Sequence, residues 1–263
     1  MGHEKLSDSN VLGIVGVGHL ATYVVDGLRH VGDNRRIVIS PRNADRARDL
    51  QRHHGCEVAQ SNQEVADLAD IVLLATRPDK SVEALAELDL RADQLIVSVA
   101  AGLALDPLLS AAAPAVVTRA MPVCCAEIGE GAIPIYPYEA RAQSLLGRIG
   151  AVVSFSEERQ FEQATVAACV NGWFFQLFAE LENWLTQAGL DAAQARALML
   201  HAARGATGLA LYHPDQDLND LATTIASPGT YTRLGLDVLR ERQALGAWSA
   251  ACDEVLQKPS DSG

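Results

Sequence analysis

The sequence predicts an α/β fold, a doubly wound parallel sheet over residues 10–156 followed by an all-helical region over 157–257. Three observations carry this. Short apolar runs rich in β-branched residues (11–15, 36–40, 71–75, 95–99, 115–119) recur between segments of helical periodicity, the grammar of a parallel sheet buried on both faces. The first run breaks at two glycines, Gly16 and Gly18, and resumes as an amphipathic helix through Leu20, Val24 and Leu28. From Glu157 onward the strands stop and long helices take over.

The first strand and its turn organise the rest. A strand, a glycine turn and a helix N-terminus present backbone N–H groups to an anion. Gly16 permits the tight turn, Gly18 lets a phosphate approach the backbone, and Ala21, where a third glycine often stands, packs helix on strand. The segment Gly16-Val17-Gly18-His19-Leu20-Ala21 therefore reads as a pyrophosphate site of Rossmann type. A glycine turn alone is weak evidence; the strand before it and the helix after it strengthen the reading.

The second strand, residues 36–40, leads through Pro41 to a helix over 44–54. An NAD site places Asp or Glu at the end of this strand for the ribose 2′-hydroxyl. This chain offers Ser40, then Arg42 and Asn43. A hydroxyl beside a guanidinium suits a 2′-phosphate and favours NADP(H), unless Arg42 is only a solvated helix-start residue.

A short strand over 56–59 and a helix over 62–69 precede the strand at 71–75, which ends in Ala75-Thr76-Arg77-Pro78. The strand at 95–99 ends in Ala100-Ala101-Gly102, and the strand at 115–119 ends in Arg119-Ala120-Met121-Pro122. Ligands of such sheets bind at the carboxyl ends of the strands, so these segments are expected to line one crevice. Residues 132–136 and 151–155 read as late edge strands around a helix near 139–149.

The helix over 161–185 is apolar on nearly every face (Val166, Val170, Trp173, Phe174, Phe178, Leu181, Trp184). Such a helix must be enclosed on all sides, which predicts an intertwined oligomer or a central place in a bundle. Asp191 caps a further helix to Tyr212, and His213-Pro214 stops it. A polar loop over 213–226 then leads to Ser227-Pro228-Gly229-Thr230-Tyr231-Thr232, which reads as a helix N-terminus rich in hydroxyls. Helices to about 242 and 256 close the chain, and residues 1–9 and 257–263 read as disordered tails.

Composition excludes several classes. With 263 residues, 49% hydrophobic and 21% charged, the chain has material for one large or two medium folded domains. A net charge of −12 argues against a nucleic-acid surface. No basic-then-apolar leader opens the chain and no unbroken apolar run approaches about 18 residues, so a cytoplasmic protein without a membrane span is expected. Five cysteines (Cys56, Cys124, Cys125, Cys169, Cys252), odd in number and without CxxC spacing, read as reduced thiols rather than zinc ligands or disulfides. No metal site, His–Asp pair or Ser–His arrangement stands out. His53 and His54 are expected on a solvated helix end, His201 inside the bundle, and His19 either at the cofactor or in solvent.

The order of these motifs resembles the pyrroline-5-carboxylate reductase family over about residues 10–257. The matching pieces are Gly16 to Ala21, Asn62, Leu74-Ala75-Thr76-Arg77-Pro78, Ser98-Val99-Ala100-Ala101-Gly102, Arg119-Ala120-Met121-Pro122 and Ser227-Pro228-Gly229. The resemblance implies an NADP-binding Rossmann domain and an all-α C-terminal dimerisation domain with interleaved helices, forming a homodimer or a higher oligomer. It implies active sites where the nicotinamide meets helical domains of two subunits. Cofactor contacts carried over are Gly16, Val17, Gly18, His19, Leu20, Ala21, Ser40, Arg42, Asn43, Asn62, Ala75, Thr76, Arg77, Pro78, Ala100, Ala101 and Gly102. Substrate contacts carried over are Met121, Val123, Asn171, Trp173, Ser227, Gly229 and Thr230.

The substrate half departs from the family pattern. Cys169-Val170-Asn171-Gly172-Trp173-Phe174 replaces a run of small residues, Val123 replaces an asparagine, and Thr230-Tyr231-Thr232 follows Gly229 where the family has Gly-Thr-Thr. The activity implied is hydride transfer from NADPH to the C=N bond of a small imine, as in proline synthesis. Thr232 is the expected hydroxyl near the imine nitrogen, with Tyr231 as an alternative donor; equally, Thr232 can cap its helix and Tyr231 can simply pack. Two further readings stay open: a specialised reductase of a bulkier imine, and a catalytically silent NADP-binding dimer.

Overall fold

The computed structural model describes residues 10–257; the two tails read as disordered lie outside the described residues, apart from Gln257. The chain divides into two compact units, one ending at Ala168 and the other starting at Cys169.

The first unit is built on one eight-stranded sheet. In chain order it comprises β1 (Leu12–Val15), α1 (His19–His30), β2 (Ile37–Ile39), α2 (Ala44–His54), β3 (Glu57–Val58), α3 (Asn62–Leu68), β4 (Ile71–Leu74), α4 (Pro78–Ala86), β5 (Leu95–Ser98), α5 (Leu105–Ala112), β6 (Val116–Ala120), a short 3-10 helix (Cys124–Ile128), β7 (Ala132–Tyr136), α6 (Ala140–Leu146) and β8 (Ala151–Ser154). The spatial order is β3-β2-β1-β4-β5-β6-β7-β8. The chain winds outward from β1 through β2 to β3, then restarts on the other side at β4, so the switch point lies between β1 and β4.

The unbroken apolar runs of the sequence are explained by burial on both faces. Leu12, Ile14, Ile71, Leu73, Leu95 and Val97 enter one core with Val24, Val25 and Leu28 of α1. Their neighbours Val15, Val72, Leu74 and Ile96 enter the other, with Val65 of α3 and Leu108 of α5. Alternate residues of each strand thus serve opposite layers.

The sheet is doubly wound and mostly parallel as expected, with one antiparallel pair toward its late edge. β1 to β6 are parallel, but β7 pairs antiparallel with β6 (Arg119 opposite Tyr136), and β8 runs parallel to β7. The segment between β6 and β7 holds only a 3-10 turn. A parallel return needs a crossover of a dozen or more residues, usually helical, so the chain reverses there.

α7 (Glu158–Gln187) starts in the first unit and continues in the second, which adds α8 (Ala192–Tyr212), α9 (Leu218–Ile225), α10 (Tyr231–Glu241) and α11 (Ala244–Gln257). α8 is capped as expected, by the Asp191 carboxylate on the amides of Ala193 and Gln194. The loop expected over 213–226 is in part a helix. Asp217 caps α9 through the amides of Asn219 and Asp220, and Leu218, Leu221, Ala222 and Ile225 give it a helical apolar stripe. The surrounding polar residues hid that spacing. By length and composition α7 also meets the requirement for crossing a membrane, against the sequence expectation; an enclosed helix of a bundle has the same properties.

Candidate functional site

The glycine turn lies at the switch point and is held there by the neighbouring turns. Gly16 has φ +97°, and a Cβ on it would stand 2.7 Å from the Ala75 carbonyl and the Thr76 nitrogen. Only glycine fits this conformation and this approach of the β1 and β4 turns. Gly18 differs: a Cβ there would meet nothing within 4 Å. It is the N-cap of α1 in an extended conformation, and no side chain bonds the first amides of the helix. An uncapped helix N-terminus facing open space is a place for an anion. Ala21 is fully buried and Leu20 packs on the core, so the turn offers backbone rather than side chains.

Two residues of the β2–α2 loop tie the turn in place. The Gly16 amide donates to the Ser40 hydroxyl at 3.0 Å, and the Asn43 side-chain amide donates to the Val17 carbonyl at 3.1 Å. Asn43 has φ +62°, which asparagine tolerates better than most residues. Ser40 is fully buried. Its expected place beside a 2′-phosphate is therefore corrected: the hydroxyl shapes the glycine turn, because the sheet register turns it inward.

Arg42 stays exposed and lines a polar cleft of about 170 Å³ with Asn62, Lys80, Glu83, Ala84 and Glu87. The structure thus brings Arg42 and Asn62 together from the loops after β2 and β3, and adds three charged residues of α4 and its C-cap (Lys80, Glu83 and Glu87) that sequence reading missed. Arg77 is the N-cap of α4, with Pro78 at its first position; its side chain is exposed, 3.5 Å from Asp79. The Thr76 hydroxyl pairs with that of buried Ser81 at 2.9 Å. After β5, Ala100 is buried while Ala101 and Gly102 are exposed.

His19 is exposed and meets the Arg46 guanidinium from α2. With Thr22, Tyr23, Asp49 and Leu50 they line a second cleft, of about 250 Å³. The expected solvated pair His53–His54 divides: His53 is exposed, but His54 turns to Asp26 of α1, Nε2 to Oδ1 at 2.7 Å. That is a His–Asp pair the sequence did not reveal, since its partners lie on different helices. The Cys56 thiol is pushed up to about 11 by burial, which makes it inert.

Arg119 does not line the crevice. It is 1% exposed, with Nη1 at 2.6 Å from both Glu158 and Glu162 and its guanidinium 4.5 Å over the Phe161 ring. Glu158 also accepts the Leu105 amide at 2.7 Å, which fixes the start of α7 to β6 and α5. Met121 and Val123 follow, both half-buried.

In the second unit, Ser227 to Thr230 form a tight turn. The Thr230 amide donates to the Ser227 carbonyl at 3.2 Å, and Gly229, at φ +84°, takes the third position that favours glycine. The N-cap of α10 is Thr230: its hydroxyl donates to the Ser227 carbonyl and accepts the Arg233 amide. Thr232 is therefore not the cap, and neither is Ser227. Tyr231 is 94% exposed and does not pack within the chain, and Thr232 is exposed beside it in the first turn. On α7, Asn171 and Trp173 are half-buried; Trp173 and Phe174 stand 6.1 and 5.8 Å from the Trp248 ring of α11. His201, expected inside the bundle, is exposed in the single chain.

Comparison with known proteins agrees in both units. Residues 11–102 match the family described as NADP oxidoreductase coenzyme F420-dependent, and residues 158–261 match pyrroline-5-carboxylate reductase dimerisation. A pyrroline-5-carboxylate reductase of Pseudomonas aeruginosa is 29% identical, over 94% of this chain and 97% of that protein. Along nearly its whole length the chain is similar to pyrroline-5-carboxylate reductases, as a divergent relative. Among solved structures, the reductase of Streptococcus pyogenes shares the fold with a TM-score of 0.82, covering 97% of this chain and 99% of that one at 23% identity. A Plasmodium falciparum pyrroline carboxylate reductase with NADP bound also reaches 0.82, at 18% identity over 96% and 98%. The helix α7, apolar on nearly every face, falls in the matched dimerisation region.

Proposed function

We propose that the chain reduces the C=N bond of a small cyclic imine with NADPH, taking 1-pyrroline-5-carboxylate to proline. The observation that carries the reading is the uncapped N-terminus of α1 beside the open Gly18, at the switch point of the sheet. The donor set fits a dinucleotide: free amides for the pyrophosphate, and Arg42 with Asn62 for the adenosine side. When bound, NADPH supplies a hydride to the imine carbon.

The chain's own residues orient the substrate and deliver a proton. The Ser227–Thr230 turn holds the substrate carboxylate at the N-terminus of α10, where the Thr230 hydroxyl takes only the Arg233 amide and leaves earlier amides for an anion. The Thr232 hydroxyl passes a proton to the imine nitrogen and takes one back from water, with Tyr231 as the second donor. Met121 and Val123 are the proposed substrate contacts of the first unit, and Asn171 and Trp173 those of the second. The chain works as a homodimer joined through its C-terminal helices.

A second reading, reduction of a bulkier imine, draws on Tyr231, whose exposed ring stands where the family has a small side chain. One assay separates the readings: loss of NADPH absorbance with 1-pyrroline-5-carboxylate and with a series of larger, uncharged cyclic imines. Turnover of the small carboxylate supports the first. Turnover of the larger imines alone supports the second, and NADPH binding without turnover overturns both.

A further inference from the structure

The cleft after β2 holds more charge than one arginine. Its walls come from three places: Arg42 beyond β2, Asn62 at the start of α3, and Lys80 and Glu83 on α4 with Glu87 at its C-cap. Lys80 Nζ lies 2.9 Å from Glu83 Oε2, and both side chains are more than half exposed, at 53% and 61%. The Lys80–Glu83 hydrogen bond and charge pair hold the Glu83 carboxyl below its ordinary value, and Arg42 adds to this, so the guanidinium and the ammonium face one carboxylate.

With two cations against two carboxylates, the cleft is formally neutral. A neutral cleft is a weak trap for a phosphate monoester, which carries about −1.5 to −2 charges at neutral pH. The Lys80–Glu83 contact is an exposed i,i+3 pair, weak because water screens both charges, so an arriving dianion can draw the ammonium away at little cost.

We infer that Lys80 is a second 2′-phosphate contact beside Arg42 and that Glu83 is the counter-charge Lys80 leaves, so that this Lys–Glu pair sets the preference for NADPH over NADH. This rests on the NADPH reading above and deepens it. Lys80 is a point charge on a flexible stem and can follow the phosphate, whereas Arg42 supplies the planar, bidentate grip. Glu83 keeps Lys80 near the cleft when no phosphate is there, and it weakens NADPH binding by leaving a negative charge next to the phosphate.

The test is direct binding of NADPH and of NADH to the full chain, followed by nicotinamide fluorescence, in the wild type, Lys80→Met, Glu83→Gln and Arg42→Met. The substituted side chains are on the surface, so folding is not at risk. Lys80→Met is expected to raise the Kd for NADPH about tenfold and to leave NADH within about twofold, since the lost contact is one charge-assisted hydrogen bond to a group NADH lacks. Glu83→Gln is expected to tighten NADPH about threefold and to leave NADH nearly unchanged. Lys80→Met with an unaltered NADPH-to-NADH ratio, while Arg42→Met lowers that ratio, overturns the role of Lys80 and leaves the NADPH reading standing. A wild type that binds neither dinucleotide overturns both.

Discussion

Gly16 and Gly18 stand two residues apart and do different work, which makes them separable by substitution. Gly16→Ala forces an L side chain to φ +97° and drives a methyl to 2.7 Å from the Ala75 and Thr76 backbone, so the β1 and β4 turns must part. The expected cost is at least about 1–2 kcal/mol from the backbone conformation alone, read as a fall in Tm together with lost NADPH binding. Gly18→Ala adds a methyl to open space, so Tm should hold within about a degree while the Kd for NADPH rises tenfold or more, because that space is where phosphate meets the helix N-terminus. A Gly18→Ala protein that binds NADPH normally refutes the phosphate role. Both glycines were legible in the sequence, because a turn between a strand and a helix leaves few other uses for them. Ser40 was legible only as a hydroxyl in the right loop; whether it faced the ligand or the Gly16 amide depended on sheet register. Lys80 was not legible, since the cleft it lines is assembled from segments that follow three different strands.

At the level of elements, the end of α1 is locked by a charge cluster that makes the first unit acid-sensitive. The Asp33 carboxylate is fully buried and holds the Arg35 guanidinium at 2.6 Å and Arg148 at 2.8 Å, tying the α1–β2 link to the segment before β8. Burial pushes the Asp33 carboxyl up, but hydrogen bonds from the Arg35 side chain and amide, with the charges of Arg35 and Arg148, outweigh it and leave it below 3.8. A depressed carboxyl contributes stability that is fully present above its unfolded value and is lost as pH falls through the folded one. Asp33→Asn should therefore lower stability by about 3 kcal/mol at neutral pH, and the gap from wild type should close as the pH falls below about 3.8. A gap that persists unchanged into acid assigns the loss to packing instead. The same scale shows where elements escaped sequence reading. Strand and helix positions before residue 120 follow from apolar periodicity, but the reversal at β7 depends on how little chain the 3-10 turn provides, and α9 hid its stripe of Leu218, Leu221 and Ile225 among polar residues.

The two units differ as whole bodies. The first has a core on each face of its sheet, whereas in the second, among the described residues 169–257, only Ala195 and Ala226 are buried. Phe174, Phe175, Leu177, Leu181 and Trp184 of α7 are between 37% and 63% exposed in the single chain. Burying a large apolar side chain fully is worth about 1.5–3 kcal/mol, so covering the exposed parts of these five recovers on the order of 4–7 kcal/mol. That is comparable to the whole stability of a typical domain, and it makes the helical unit dependent on what encloses it. The apolar circumference of α7 made this readable from sequence, although the sequence could not say which residues one chain leaves bare. A second copy of the chain is the expected cover, in keeping with the dimerisation family matched at 158–261. Light scattering on the full chain at micromolar concentration should then give at least twice 28.0 kDa. Leu181→Asp should lower the mass toward one chain, with a matching loss of helical circular dichroism as the second unit loosens. A wild-type particle of a single chain mass, with its helices intact, would show that the exposed face of α7 is tolerated in water and that enclosure by a second copy is not what holds this unit together.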